Sequence, residues 1–194
     1  PNILPWAEWA YYQYFNDTTR LRQVYAPLLA YYQWLKKYRT WPDGSYYASG
    51  WGCGMDNQPR VPVGYNVEWD HAHMSWIDTN LQQLLAAKHM QAISNVLGMH
   101  DASADFNNDI AQLPRYVNDN MWDEKTHYYY DRYADGSLSH VKSIAAYWAL
   151  IAGAVPSQRA KSFINHLTDT NTFSRLHRVP TLAADQPLYN PEGG

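Results

Sequence analysis

Residues 50–60, "GWGCGMDNQPR", gather an acid, two amides, an arginine and a tryptophan in one short run. Glycines at 50, 52 and 54 open backbone conformations closed to other residues and let a ligand come close. The run reads as a loop, too glycine-rich for a helix or a regular strand. An Asp56 carboxyl held on such a loop can protonate a leaving oxygen if its surroundings raise its pKa. Arg60 can bind a sugar hydroxyl or a carboxylate through its fork of N–H groups. The same residues also fit a plainer arrangement, in which Asp56 caps the following turn and pairs with Arg60.

A second cluster, "VEWDHAHMSWIDTN" at 67–80, sets Glu68, Asp70 and Asp78 among Trp69, Trp76, His71 and His73. An H-x-H pair binds metal when an extended backbone puts both rings on one face. No third ligand stands at a helical or strand spacing from it, so no metal site is expected. Asp78 suits the cap of a helix starting nearby. Asn80, two residues later, is past the cap and is expected to reach into a site. Lys142 stands at the entry to an apolar helix, where a lysine is either solvated or turned to a ligand.

Something must hold these groups, and the periodicity says it is helices. Residues 3–15 are apolar on nearly every side, as in a helix buried on two faces. Asp17 can cap a second helix, in which Leu21, Val24, Tyr25, Leu28, Tyr32 and Leu35 recur at three and four residues, with Pro27 expected to bend it. From 39 to 76 the helical period vanishes into a long loop region, and loops of that length inside a domain are usually functional. The period returns at Ile77 and stops at Gly98. Another helix follows from Asp101 to Met121 with Pro114 inside. "THYYYDRYADGS" at 126–137 predicts a small hairpin turning at Asp135-Gly136. Two shorter helices are expected at 141–153 and 156–167, the second with Pro156 in its first turn. Six helices in successive pairs, with unequal decorated loops and no fixed short repeat, suggest an α/α toroid.

Composition removes other classes of function. The 194 residues carry a net charge of −3 with both signs mixed, which gives no electrostatic footprint for nucleic acid or an anionic membrane. The longest apolar run, "IAAYWALIAGAV" at 144–155, is too short to span a bilayer, so the expectation is a soluble protein, cytoplasmic or periplasmic. The lone Cys53 rules out an intrachain disulfide and a cysteine zinc cluster. Nine Trp and seventeen Tyr exceed what a core of this size needs. Such side chains suit half-exposed positions where they stack on sugar faces, although most of them should pack helix interfaces. A proline at position 1 and the closing "YNPEGG" read like an excised piece.

Taken in order, "ILPWAEWAYYQYFNDTTRLRQVYAPLLAYYQWLKKYR", "DGSYYASGWGCGMDNQPR", "IDTNLQQLLAAKHM", "MWDEKTHYYYDRYADGSLSHVKSIAAYWALIAGAV" and "HLTDTNTFSRLHRVPTLAADQPLYNPEGG" resemble the catalytic domain of glycoside hydrolase family 63. That family is similar to trehalases and glucoamylases and includes processing α-glucosidases and bacterial mannosylglycerate and glucosylglycerate hydrolases. The most specific block is "GMDNQPR", close to the family's G-x-D-N-S-P-R. The resemblance implies an all-α fold, an (α/α)6 barrel of which residues 1–194 would form about half of a single catalytic domain, with a small β-hairpin.

It also implies an inverting α-glycosidase acting on α-glucosides or α-mannosides of the oligosaccharide or glycosylglycerate type. Asp56 matches the general acid; Trp51, Asn57, Gln58 and Arg60 fall around the innermost sugar, Asp78 and Asn80 match a "D-x-N" lining the same pocket, and Lys142 falls in a "V-K-T/S" segment. Gln58 departs from the family's serine. Hydrolysis needs no cofactor. The family's general base is a glutamate expected beyond Gly194, while Glu68, Asp70 and Glu192 are the acids at hand within the chain. Inversion needs the second carboxylate roughly 6.5–9.5 Å from the acid, with water between. Expected partners are a carbohydrate and whatever covers the open half of the barrel, the rest of the domain or another chain. Two other readings stand beside this one. A non-catalytic carbohydrate-binding or scaffolding toroid would leave Asp56 salt-bridged; a purely structural helical repeat would leave the 39–76 loop disordered or remote from any cleft.

Overall fold

The computed structural model describes residues 1–56, 58–177 and 179–192. Asp17 accepts the Arg20 N–H at 3.0 Å and opens α2 (Thr18–Tyr38), after α1 (Leu4–Phe15) has closed on Asn16 in the left-handed region. In α2 the buried residues are Leu21, Tyr25, Leu28 and Tyr32, spaced at four and three, so one stripe faces inward. Pro27 does not break the helix, and neither does Pro114 in α5 (Ser103–Asn120).

α4 (Ile77–Leu97) is the centre of the molecule. From Ile77 to Ala87 every residue except Thr79 is buried, and the helix packs against α1, α2 and α5. Gly98, at φ +66°, ends it by returning its N–H to Ser94 and Asn95. On α5 the buried residues Phe106, Asp109, Leu113 and Val117 turn toward α4 and α2, which makes one acid part of an otherwise apolar stripe.

Several elements differ from the sequence reading. α1 buries only Pro5 and exposes Leu4, Trp6, Tyr11, Tyr14 and Phe15, because a helix apolar on two sides needs two covers and here α2 and α4 supply one. Residues 50–53 do form a helix, the single turn α3 (Gly50–Cys53), since Ser49 caps it and Gly54 at φ +81° ends it. The two-stranded ladder joins β1 (Trp122–Asp123) to β2 (Tyr128–Tyr129) across residues 124–127. Asp135-Gly136 turns as well, but it closes only the lone bridge between Arg132 and Leu138. In place of a helix over 141–153 there is a 3-10 turn (Ile144–Tyr147) capped by Ser143 and the short α6 (Trp148–Ile151). Pro156 is the N-cap of α7 (Ser157–Thr168) and lies just outside its first turn.

The described residues of the 39–76 segment are held by hydrogen bonds within the segment and to Arg132. Thr40 bridges Tyr46, Ser75 bridges Arg132, and Ala48, Cys53, Ala72, Met74 and Trp76 make a small core beside the main one. Among the described residues no helix is long and apolar enough to cross a membrane.

Candidate active site

The turn α3 delivers the chain into residues 54–60. Gly50 is needed there: a Cβ on it would lie 2.6 Å from the Asp56 Cα and 2.7 Å from the Val67 carbonyl oxygen. Both are backbone atoms that cannot swing aside. The Gly50 carbonyl accepts the N–H groups of Gly54 and Met55, each at 2.9 Å, and the Gly50 N–H donates to Val67 at 2.7 Å. The start of the acid loop is thereby fixed to the 67–68 strand of chain.

Its end is fixed by Arg60, which is fully buried. Nη1 and Nη2 donate to the two oxygens of Asp78 at 2.8 and 2.9 Å, while Nε and Nη2 donate to Asp131 at 2.9 and 2.7 Å. The guanidinium also lies over the Trp76 ring, 4.5 Å from its centroid. Burial by itself would lower the arginine pKa, but the facing carboxylates, Asp131 foremost, outweigh it and hold the group charged. Beside them the Cys53 thiol is pushed up to about 12, first by burial and then by Asp78, and so stays protonated.

The two acids also finish the N-terminus of α4, which has no side-chain cap of its own. Asp131 accepts the Ile77 N–H and Asp78 accepts the Thr79 N–H, each at 2.9 Å. Asn80 then turns to the backbone of the 39–76 segment. It accepts the Tyr46 N–H at 2.9 Å and its amide faces the carbonyls of Tyr46 and Trp76 at 3.1 and 2.7 Å.

The residues expected around a sugar therefore divide into two groups. Gln58, Arg60, Asp78 and Asn80 are all buried, at 2% exposure or less, with their polar groups on protein partners. Their side chains bind the loop to the rest of the fold. Gln58 donates to the Thr181 carbonyl at 2.6 Å and accepts from the Ser143 hydroxyl, tying the loop to a segment far along the chain. Lys142 stands apart and pairs with Asp185. Asn57 lies outside the described residues.

Asp56 and Trp51 are the exposed members. Asp56 has no ion pair or hydrogen-bond partner among the described residues, and the plain pairing with Arg60 does not form, because Arg60 is committed to Asp78 and Asp131. Trp51 meets Trp69 with ring centroids 3.8 Å apart, and both indoles are more than half exposed. Asp70 spends one oxygen on the Asn66 N–H at 2.8 Å. The rings of His71 and His73 lie 4.9 Å apart at 80°, packed with Trp41, and Nδ1 of His71 accepts the His73 N–H. Among the described residues no group of three His, Cys, Asp or Glu could hold a metal ion.

Ser49 and Gly52, from the same loop, help line a cavity of about 310 Å³. Its walls include Tyr31, Trp34, Arg39, Tyr47, Gln82 and Gln83, and Asp56 is not among them. Buried oxygens of two further lining residues, Thr79 and Asn2, have no hydrogen-bond partner among the described residues. Sequence reasoning missed Asp131 altogether, and its one local sign was an acid inside the run "YYYDRY".

The chain is similar to proteins of known fold. The GH63 mannosylglycerate hydrolase from Thermus thermophilus in complex with glucose superimposes with a TM-score of 0.83 at 19% identity, over 98% of this chain and 56% of that one. The same enzyme in complex with Tris and D-glycerate gives 0.81 at 17%, over 100% and 59%. These neighbours are (α/α)6 toroid enzymes, and at such identity the likeness is one of fold. An uncharacterised protein of Borreliella burgdorferi is 25% identical over 191 residues, 98% of this chain and 38% of that protein. The chain thus spans between about two fifths and three fifths of these relatives. A family model described as the mannosylglycerate hydrolase MGH1-like glycoside hydrolase domain matches residues 1–193, and the chain belongs to that family of glycoside hydrolases.

Proposed function

We propose that this domain is part of an inverting α-glycosidase in which Asp56 is the general acid, and that residues 1–194 are one stretch of a single catalytic domain. The observation that carries the reading is the contrast between Asp56 and its neighbours. Gln58 and Arg60 are locked into the protein, while Asp56, between them and α3, is the loop carboxylate left exposed and unpaired among the described residues. A non-catalytic toroid would leave Asp56 in an ion pair, and none is present among the described residues.

Trp51 and Trp69 supply an aromatic wall on which a sugar face can stack. The substrate is an α-glucoside or α-mannoside, with glycosylglycerates favoured because the similar Thermus enzyme is a mannosylglycerate hydrolase crystallised with glucose and with D-glycerate. Lys142, in its pair with Asp185, holds the neighbouring segment, and Asn57 contacts the sugar as the resemblance implies. The general base is a glutamate outside residues 1–194, which would activate water on the opposite face of the sugar. The exposed aromatic face of α1 is covered by the remainder of the same domain or by another chain.

The test uses the intact enzyme. Asp56→Asn should lower kcat about 10²–10⁴-fold with the fold retained, as expected for loss of a general acid; near-normal turnover of α-glucosides and α-mannosides would refute the assignment. Proton NMR of the first-formed anomer decides the stereochemistry. A β-product supports inversion, and an α-product contradicts it.

A further inference from the structure

We propose that Asp131 is a positioning residue of the reaction, acting through Arg60 to hold the loop that presents Asp56. The inference rests on Asp56 being the general acid. Asp131 follows β2, and the backbone on both sides of it is pinned: Tyr130 donates to the Met121 carbonyl at 2.8 Å, and Arg132 exchanges two hydrogen bonds with Ser75 at 2.8 and 3.0 Å. Its carboxylate is 1% exposed and has three partners, the Nε and Nη2 of Arg60 and the N–H of Ile77.

The geometry explains why one acid would not suffice. Asp78 grips the guanidinium end-on, through Nη1 and Nη2, and about that contact alone the plane can swing. Asp131 grips the adjoining edge, through Nε and Nη2, and two carboxylates on two edges leave the plane no rotation. Arg60 is four residues from Asp56, with Pro59 restricting the chain between them. A guanidinium fixed at one end of the loop and a backbone seated on Gly50 at the other define where Asp56 stands. Asp131 touches neither Asp56 nor any exposed surface, so its effect on the reaction passes through Arg60. Small errors in placing a proton donor cost rate more than affinity.

The leaving group separates positioning from general loss of stability. A substrate whose aglycone departs without protonation does not need the acid. In the intact enzyme, kcat and KM are measured for wild type, Asp56→Asn and Asp131→Asn on a methyl α-glycoside and on the dinitrophenyl α-glycoside of the same sugar, glucose or mannose. Asp131→Asn keeps an acceptor for Ile77 and removes the charge facing Arg60. The expected result is a kcat loss of roughly 10- to 100-fold on the methyl glycoside, KM within about threefold, and recovery to within about threefold of wild type on the dinitrophenyl glycoside. Equal losses on both substrates, or no loss, would overturn the proposal. If Asp56→Asn itself is not recovered by the activated substrate, the acid assignment fails and this inference with it; if Asp56→Asn is recovered and Asp131→Asn is not, only the inference fails. Should Asp131→Asn not fold, Asp131→Glu keeps the charge, lengthens the arm, and must show the same dependence on leaving group.

Discussion

The carboxylate of Asp78 and the guanidinium of Arg60 meet through hydrogen bonds of 2.8 and 2.9 Å, with both side chains wholly buried. With Asp131 they place two negative charges and one positive charge out of water. Such a group contributes little compared with well-packed apolar residues, but removing its centre leaves uncompensated buried charge. Arg60→Met should therefore cost about 3–5 kcal/mol, read as a lower denaturant midpoint at unchanged slope. Arg60→Lys keeps the charge but cannot span both carboxylates, so it should fall between Met and wild type. Equal stability of Met and wild type would refute the view that Arg60 offsets buried negative charge.

Gly50 and Gly54 give a paired test of what the acid loop needs. Gly50→Ala drives a Cβ into the Asp56 and Val67 backbones and should cost about 1–3 kcal/mol, moving Asp56 and lowering kcat as well. Gly54→Ala meets open space, so its cost is the left-handed backbone alone, about 1 kcal/mol. Thermal melts of the two variants, with kcat at saturating substrate, check the order.

The long helices α2 and α4 were legible in the sequence because each has a local cause: Asp17 caps α2, Gly98 ends α4, and the four-three spacing of Leu21, Tyr25, Leu28 and Tyr32 is a direct image of one buried face. The site was legible only in part. Local reasoning could pair Arg60 with Asp56, four residues away, yet its partners are 18 and 71 residues distant. Asn80 sits past the cap position, where spacing predicts a side chain reaching into a site, and its amide bonds the Tyr46 backbone. Spacing along a helix says which way a side chain points and not what the fold brings to meet it. Asp131 illustrates the limit, since a single acid in a tyrosine-rich run looks like any surface hairpin residue.

Stability should fall on mild acidification. Burial lowers the pKa of His71, His89 and His166 below the usual histidine value, with His73 and Lys88 adding to the effect on the first two. The folded state therefore binds fewer protons than the unfolded chain, whose histidines titrate near ~6.5. The contribution is fully present above that pH and is lost as pH falls through the lower folded values. Melting temperature should drop between pH 7 and pH 5, and His89→Leu, which removes a half-buried ring whose Nε2 has no partner among the described residues, should flatten the slope. An unchanged slope would mean that His89 gains a proton in the fold as easily as in the unfolded chain.

Asp109 tests how the loop region is tied to the helices. It lies on the buried stripe of α5 and collects the Tyr32 hydroxyl at 2.5 Å, the Tyr46 hydroxyl at 3.1 Å and the Lys36 ammonium at 2.8 Å. Both phenols are raised in pKa, first by burial and then by this carboxylate, so they remain donors. Tyr46 is thus held twice, by Asp109 at its hydroxyl and by Asn80 at its backbone, and it fixes the chain four residues before Gly50. Asp109→Asn leaves one oxygen for four donors, the Gln83 amide at 3.4 Å among them, and turns an amide toward Lys36 or the tyrosines, which should cost about 2–3 kcal/mol; Tyr32→Phe, removing one donor, should cost about 1 kcal/mol. In the double variant the losses should not add, because the Tyr32 hydrogen bond is already weakened without the carboxylate. Additive losses would mean that Tyr32 and Asp109 stabilise the fold independently, through packing rather than through their hydrogen bond.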